Sequence, residues 1–140
     1  MSAHFTFEVH TPHRLFFSDR VEAITLTLLD GEICVYAKHS AFTAPVLCCI
    51  LYIKDDKGRW RQAFITEGIL EVKDHKTVLM VDVAEWPEEI DPERARAAKE
   101  HAEASLQMAA LKFEVEKAKA RIRRAEFRLK ACELKTSVRN

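Results

Sequence analysis

The residues of this 140-residue chain best placed to do chemistry are Asp91, Arg94, Arg124 and Arg128. Asp91 and Pro92 read as a helix start, because an aspartate there accepts from free backbone amides and a proline at the first helical position gives up no needed N–H. Arg124 and Arg128 stand four apart in a later helical stretch and therefore share a face. An antiparallel return would bring that face beside the start of the first helix. Arg94, the Asp91 end and two guanidiniums would then converge into a cluster suited to an anion such as a nucleotide polyphosphate. The plainer alternative is a solvated basic helix face.

Nothing else in the sequence suggests catalysis. There is no Gly-rich phosphate loop, nucleophile elbow or His-Glu-x-x-His, and His4, His10, His13, His39, His75 and His101 are scattered as surface and turn residues would be. Glu88 and Glu89 precede a helix N-terminus, where the helix dipole favours negative charge. Cys34, Cys48, Cys49 and Cys132 form no C-x-x-C pair and no zinc spacing, so no metal is expected. Cys48 and Cys49 are neighbours in an apolar run, where adjacent strand residues point to opposite faces, and they read as small buried hydrophobes in a reducing cytosol. No apolar signal segment opens the chain. The longest apolar run, Ala44 to Ile53, is interrupted by Pro45 and falls far short of the roughly 20 residues that span a bilayer.

Twenty-two basic residues balance twenty-two acidic ones, which implies no global attraction to nucleic acid. The balance conceals a split. Residues 1 to 90 hold 9 Lys/Arg against 14 Asp/Glu, whereas residues 91 to 140 hold 13 against 8, so the two parts are expected to meet different surroundings.

From Phe5 to about Trp86 the chain reads as short strands broken by turn signals, an all-β sandwich or flattened barrel. Phe5, Phe7 and Val9 alternate with polar residues in a strand ending at Thr11-Pro12. Val21 to Leu29 is expected as the next strand. Leu47 to Ile53 and Arg59 to Thr66 flank a hairpin turn at Asp55 to Gly58, and Ile69 to Val72 and Thr77 to Val83 flank a second at Lys73 to Lys76. After Asp91 the period becomes helical: Ala95, Ala98, Ala102 and Leu106 form one stripe, and Ala118, Ile122, Ala125, Leu129 and Cys132 a second. These predict an antiparallel helical hairpin reversing near Gln107 to Lys112. The reversal contains neither Gly nor Pro, so hairpin and continuous rod are expected to lie close in energy. The division falls at 1–87 for the β domain and 88–140 for the helices.

Three stretches sharpen this. Gly31-Glu32-Ile33-Cys34 leads through a short strand to a polar loop at His39 and then to Pro45, with Glu32 and His39 exposed at the end of the sandwich. Glu67-Gly68-Ile69-Leu70-Glu71-Val72 has a Gly in a strand pattern, a sign of a bulge or a close backbone approach. Ala84-Glu85 and Ile90-Asp91-Pro92-Glu93-Arg94-Ala95 join the two parts. In order and spacing, across essentially the whole chain, these resemble the epsilon subunit of bacterial F-type ATP synthases. Three departures stand out: Cys34 where the family usually has Gly, Ala37-Lys38 in place of Pro-Gly, and Glu67 in place of the first Gly of a Gly-Gly pair. Only Gly takes a positive φ without strain, so the loop geometry at the sandwich end is the least transferable feature.

The resemblance implies a non-catalytic subunit of the central stalk, at the cytoplasmic face of the bacterial inner membrane and peripheral to it. Its sandwich would bind the gamma subunit and the c-ring, with Glu32 and His39 at that contact. Its helices would reach the catalytic alpha/beta hexamer and brake ATP hydrolysis. No cofactor is required, but ATP is implied as a regulatory ligand, held by Glu85, Ile90, Asp91, Arg94, Ala95, Arg124 and Arg128. A further Arg of nucleotide-binding members is His101 here, which removes one fixed charge. The alternative reading is a stand-alone ATP-sensing or protein-interaction module of an unrelated assembly.

Overall fold

The computed structural model describes residues 3–134. Its β part begins with β1 (Phe5–His10), whose Phe5, Phe7 and Val9 turn into the core as their alternation predicts. The next strand, β2 (Leu15–Leu28), is 14 residues long and starts well before the expected Val21. Its first half pairs antiparallel with β1 from Leu15 to Val21. Its second half pairs with β3 (Gly31–Tyr36) on one side and β5 (Cys49–Asp55) on the other. The register slips between Val21 and Ala23, where an extra residue bends the strand and carries it from one layer to the next. Two short apolar stretches flanking polar Ser18-Asp19-Arg20 thus belong to one continuous strand, which a search for strand breaks would divide.

The remaining strands are β4 (Phe42–Val46), β6 (Trp60–Ile65), β7 (Gly68–Lys73), β8 (Lys76–Val81) and the short β9 (Ala84–Glu85). Order across the sheet is β1-β8-β7-β4-β2-β5-β6-β9. All pairings are antiparallel except β1 with β8. The additional β1–β2 pairing wraps the sheet into the expected flattened, two-layered sandwich. The segment from Ala41 to Pro45, expected as a loop, is largely strand. Pro45 is tolerated because β4 pairs along its length only with β7 and meets β2 at Val46 alone. Lys38 in the turn before it has φ +66°, so a left-handed position that glycine would fill freely carries a side chain here.

Cys48 and Cys49 point to opposite sides, both buried, and all four cysteines are free thiols. Cys49 joins Leu51 and Ile53 in the sandwich interior. Cys48, Ile50 and Phe64 face outward, and the second helix covers them.

The helices are α1 (Pro92–Met108) and α2 (Lys112–Leu134). Asp91 caps α1 by accepting from the backbone amides of Glu93 and Arg94 at 3.1 and 3.4 Å. The reversal lies within Ala109 to Leu111, as expected. Buried Ala95 and Ala102 meet buried Ala118 and Ala125, one small residue every two turns on each helix, which lets the axes approach closely. Ala98, expected in that stripe, is exposed, and the half-buried Lys99 lies one position further round. The departure arises because the contact stripe follows the i, i+4, i+7 spacing of Ala95, Lys99 and Ala102 rather than i, i+3.

The segment joining sheet to helices is clamped. Trp86 stacks on Phe16 at 4.4 Å between ring centroids, and the Arg61 guanidinium lies 3.8 Å from its ring. Arg14 donates to the Ala84 carbonyl at 3.1 Å and pairs with Glu89 at 2.9 Å. The Glu89 carboxylate also accepts from the Trp86 amide. Glu89 therefore has a specific partner beyond the helix dipole, and the Arg14 guanidinium holds its carboxyl below the ordinary value.

Gly68 meets the close approach its place in a strand predicts: a Cβ there would stand 2.0 Å from the Met80 carbonyl oxygen and 2.6 Å from a Val81 methyl. On the other side of Glu67, buried Thr66 exchanges hydrogen bonds with Val83, its amide donating at 3.0 Å and its hydroxyl accepting at 2.9 Å. Since the obstacle at Gly68 is backbone of the neighbouring strand, Gly68→Ala is expected to destabilise the protein by about 3 kcal/mol. A urea midpoint unchanged from wild type would contradict this.

Glu89 sets a pH dependence. A carboxyl with a depressed folded-state value stabilises above its unfolded value and loses that contribution as pH falls through the folded one. The pair is partly exposed, so its worth is about 0.5 kcal/mol. Urea titrations of the wild type and Glu89→Gln are expected to differ by this amount at neutral pH and to converge between about pH 5 and pH 3. A gap independent of pH would show that the ion pair is not its source.

Candidate functional site

Where β9, the 3₁₀ turn Pro87–Glu89 and the first turn of α1 face the C-terminal half of α2, they enclose a cleft of about 410 Å3. Its size lies in the range of small-ligand sites. Six of the seven residues expected to hold a nucleotide line it: Glu85, Ile90, Asp91, Arg94, Ala95 and Arg128. Glu89 and the exposed Ala98 complete the wall. Backbone placement explains the convergence. Asp91 fixes the helix start, so Arg94 and Ala95 follow within the first turn, and the antiparallel α2 returns Arg128 to the same level.

Arg124 goes elsewhere. One turn before Arg128 on α2, it pairs with Glu67 at 3.2 Å and does not line the cleft. Its Nε is buried without a hydrogen-bond partner. Glu67, one of the departures from the family pattern, supplies the carboxylate that draws it there. His101 is exposed on α1 and likewise lies outside the cleft.

Arg128 already has a partner. Its Nε donates to the Glu85 carboxylate at 2.8 Å, and the guanidinium packs 4.8 Å from the Phe64 ring centroid. With Glu89 held by Arg14 and Asp91 capping the helix, Arg94 is the cleft's exposed cation. An anion entering would find Arg94 directly and Arg128 by exchange with Glu85, the first-turn amides of α1 being already taken by Asp91.

The seam below the cleft was only partly visible in the sequence. Phe127, Ala131, Cys132 and Leu134 of α2 pack on Cys48, Ile50 and Phe64, with Ile90 at one end. Burial, together with the charge of Glu67, pushes the Cys48 thiol up to about 12. The helix stripe read from alanines and Ile122 describes contact with α1. The sheet-facing Phe127, Ala131 and Leu134 lie about half a turn round from Ala118 and Ala125, and the doubly apolar run Cys48 to Ile53 was the available signal that something covers the outer face.

At the far end of the sandwich Glu32 is exposed near the start of β3, an edge strand paired only with β2. His39 is half-buried rather than exposed: its ring lies 5.1 Å from that of Phe42, and Nδ1 is 2.9 Å from the Ser40 carbonyl oxygen. No group of three or more His, Cys, Asp or Glu side chains among the described residues could hold a metal ion. No helix among them is long and apolar enough to cross a membrane. A larger hollow of about 800 Å3 lies beside the β5–β6 turn, and its Arg59 is paired with Asp55 at 3.1 Å.

Comparison with known proteins agrees with this architecture. Residues 4–87 match the beta-sandwich domain of the ATP synthase delta/epsilon chain, and residues 88–133 match its long alpha-helix domain. The ATP synthase epsilon chain of Caldicellulosiruptor saccharolyticus is 50% identical over 105 residues, covering 75% of this chain and 76% of that one. That of Caldanaerobacter subterraneus subsp. tengcongensis is 42% identical over 115 residues, covering 81% and 83%. Among solved structures, a chain of the Euglena gracilis mitochondrial ATP synthase OSCP/F1/c-ring shares the fold with a TM-score of 0.81 at 24% identity, covering 94% of this chain and 82% of that one. A chain of the Tetrahymena thermophila mitochondrial ATP synthase central stalk and c-ring does so with a TM-score of 0.63 at 17% identity, covering 94% and 98%. A sandwich with a docked helical hairpin, matched over both parts, makes this chain a member of the epsilon-subunit family of the F-type ATP synthases.

Proposed function

We propose that this chain is a non-catalytic component of the central stalk of a proton-translocating synthase, peripheral to the cytoplasmic face of a bacterial inner membrane. Its sandwich couples the gamma subunit and c-ring to the catalytic head, and its helical hairpin undocks to restrain ATP hydrolysis at the alpha/beta hexamer. The observation that carries this reading is the form of the seam. The hairpin is held to the sheet by a small apolar patch and two partly exposed ion pairs, Arg124–Glu67 and Arg128–Glu85. Such a contact is weak enough to be exchanged for another. Met108, Leu111 and Phe113 support it further: they cluster at the hairpin's tip, exposed by 84, 55 and 67%, and apolar surface of this kind suits contact with a partner.

Glu32 and, with less of its ring accessible, His39 are assigned to the stalk and c-ring contact. A free carboxylate on an edge strand can accept a charge-assisted hydrogen bond from a basic partner loop. Glu32→Lys in the assembled complex is expected to weaken the coupling of ATP hydrolysis to proton pumping while the fold stays intact. Normal pumping per ATP in that variant would refute the assignment.

The cleft is assigned to ATP as a regulatory ligand, through Glu85, Ile90, Asp91, Arg94, Ala95 and Arg128, with Arg124 joining only if it leaves Glu67. Exchange of Arg128 from Glu85 works against tight binding. Titration of the protein with ATP is expected to shift the amide resonances of Ile90, Arg94 and Arg128 at millimolar concentration. Unchanged spectra there would end the ligand assignment without touching the stalk role.

A further inference from the structure

We propose that Glu67 is a latch: a carboxylate on a rigid post that captures Arg124 and holds the hairpin shut with no ligand present. The post is rigid because the backbone on either side of Glu67 cannot move. Thr66 is hydrogen-bonded to Val83 through both its amide and its hydroxyl, and Gly68 sits too close to the Met80 carbonyl for even a methyl group. A side chain mounted there loses little backbone entropy on pairing, which raises the worth of a contact that would otherwise be marginal.

Arg124 is fitted to the post. Its NH2 donates to Glu67 at 3.2 Å while its Nε is buried with no hydrogen-bond partner. Glu67 is therefore the carboxylate that compensates a guanidinium drawn partly out of water. The second pair, Arg128–Glu85, lies one helical turn further along α2 and doubles as a wall of the cleft. A ligand recruiting Arg128 would break that pair, whereas the Glu67 latch lies outside the cleft and is untouched. Docking and ligand capture are thereby assigned to different arginines. This deepens the reading that the hairpin undocks, and it rests on that reading.

The chain carries its own reporter. Cys48 is 3% exposed beneath α2, whereas Cys49 lies in the sandwich interior. A maleimide or iodoacetamide can therefore reach Cys48 only when the hairpin lifts, and mass spectrometry of the labelled peptide separates the two sites. Relative to wild type, Glu67→Gln and Arg124→Gln are each expected to speed Cys48 labelling about threefold or more, with Cys49 unchanged as the control for an intact sandwich. The exchanged pair Glu67→Arg with Arg124→Glu is expected to recover most of the protection. Equal Cys48 rates in wild type and both single variants, or no recovery in the exchanged pair, overturn the latch while leaving undocking intact. Cys48 unlabelled in every variant over the lifetime of the folded chain overturns the latch and the undocking reading together.

Discussion

The arrangement depends on one constraint: strands β5 and β6 are apolar on both faces, so the outer face must be covered. Leu51, Ile53, Ala63 and Ile65 fill the sandwich, and Cys48, Ile50 and Phe64 point the other way. Burying a side chain such as Phe64 or Ile50 is worth about 1.5–3 kcal/mol, and Phe127, Ala131 and Leu134 of α2 provide the cover. Everything else about the helical part follows from that contact. It fixes the rotation of α2, brings Arg124 and Arg128 over the sheet, and leaves α1 to pack on α2 through alanines. The cleft is the space left where the returning helix meets the linker.

Much of this is legible in the sequence because the signals are local. Phe5, Phe7 and Val9 alternate, Asp91-Pro92 caps a helix, and alanine recurs at helical spacing, so the elements and their order need only short-range chemistry. The cleft residues are likewise legible, since cap position and antiparallel return bring Arg94 and Arg128 together. What escapes is non-local. Whether Arg124 faces the cleft or a carboxylate on the sheet depends on Glu67, 57 positions away. The full length of β2 depends on a bulge whose only trace is a run of polar residues between apolar ones. Pro45 in a strand requires knowing that one side of β4 is left unpaired until Val46. His39 is half-buried because Phe42 folds back beside it, a contact that neither residue announces.

The opposed charge of the two parts acquires a concrete meaning in the folded molecule. An acidic sheet and a basic helix attract one another within the same chain, and two of the arginines on α2 are paired with sheet-side carboxylates. The basic excess is thus partly neutralised by the sheet beneath it, and would return to the helix surface in the proposed undocking. Any outside acidic surface competes with carboxylates that are already in place.

The stacked Phe16, Trp86 and Arg61 have a mechanical consequence. Phe16 and Arg61 pin Trp86, and Arg14 pins Glu89, so in the proposed undocking the arm would pivot between Glu89 and the capped start of α1. From there α1 runs 17 residues, and at about 1.5 Å per residue its far end stands roughly 25 Å from the pivot. A small angular change there would become a large sweep of the apolar tip, a lever whose fulcrum the clamped linker fixes.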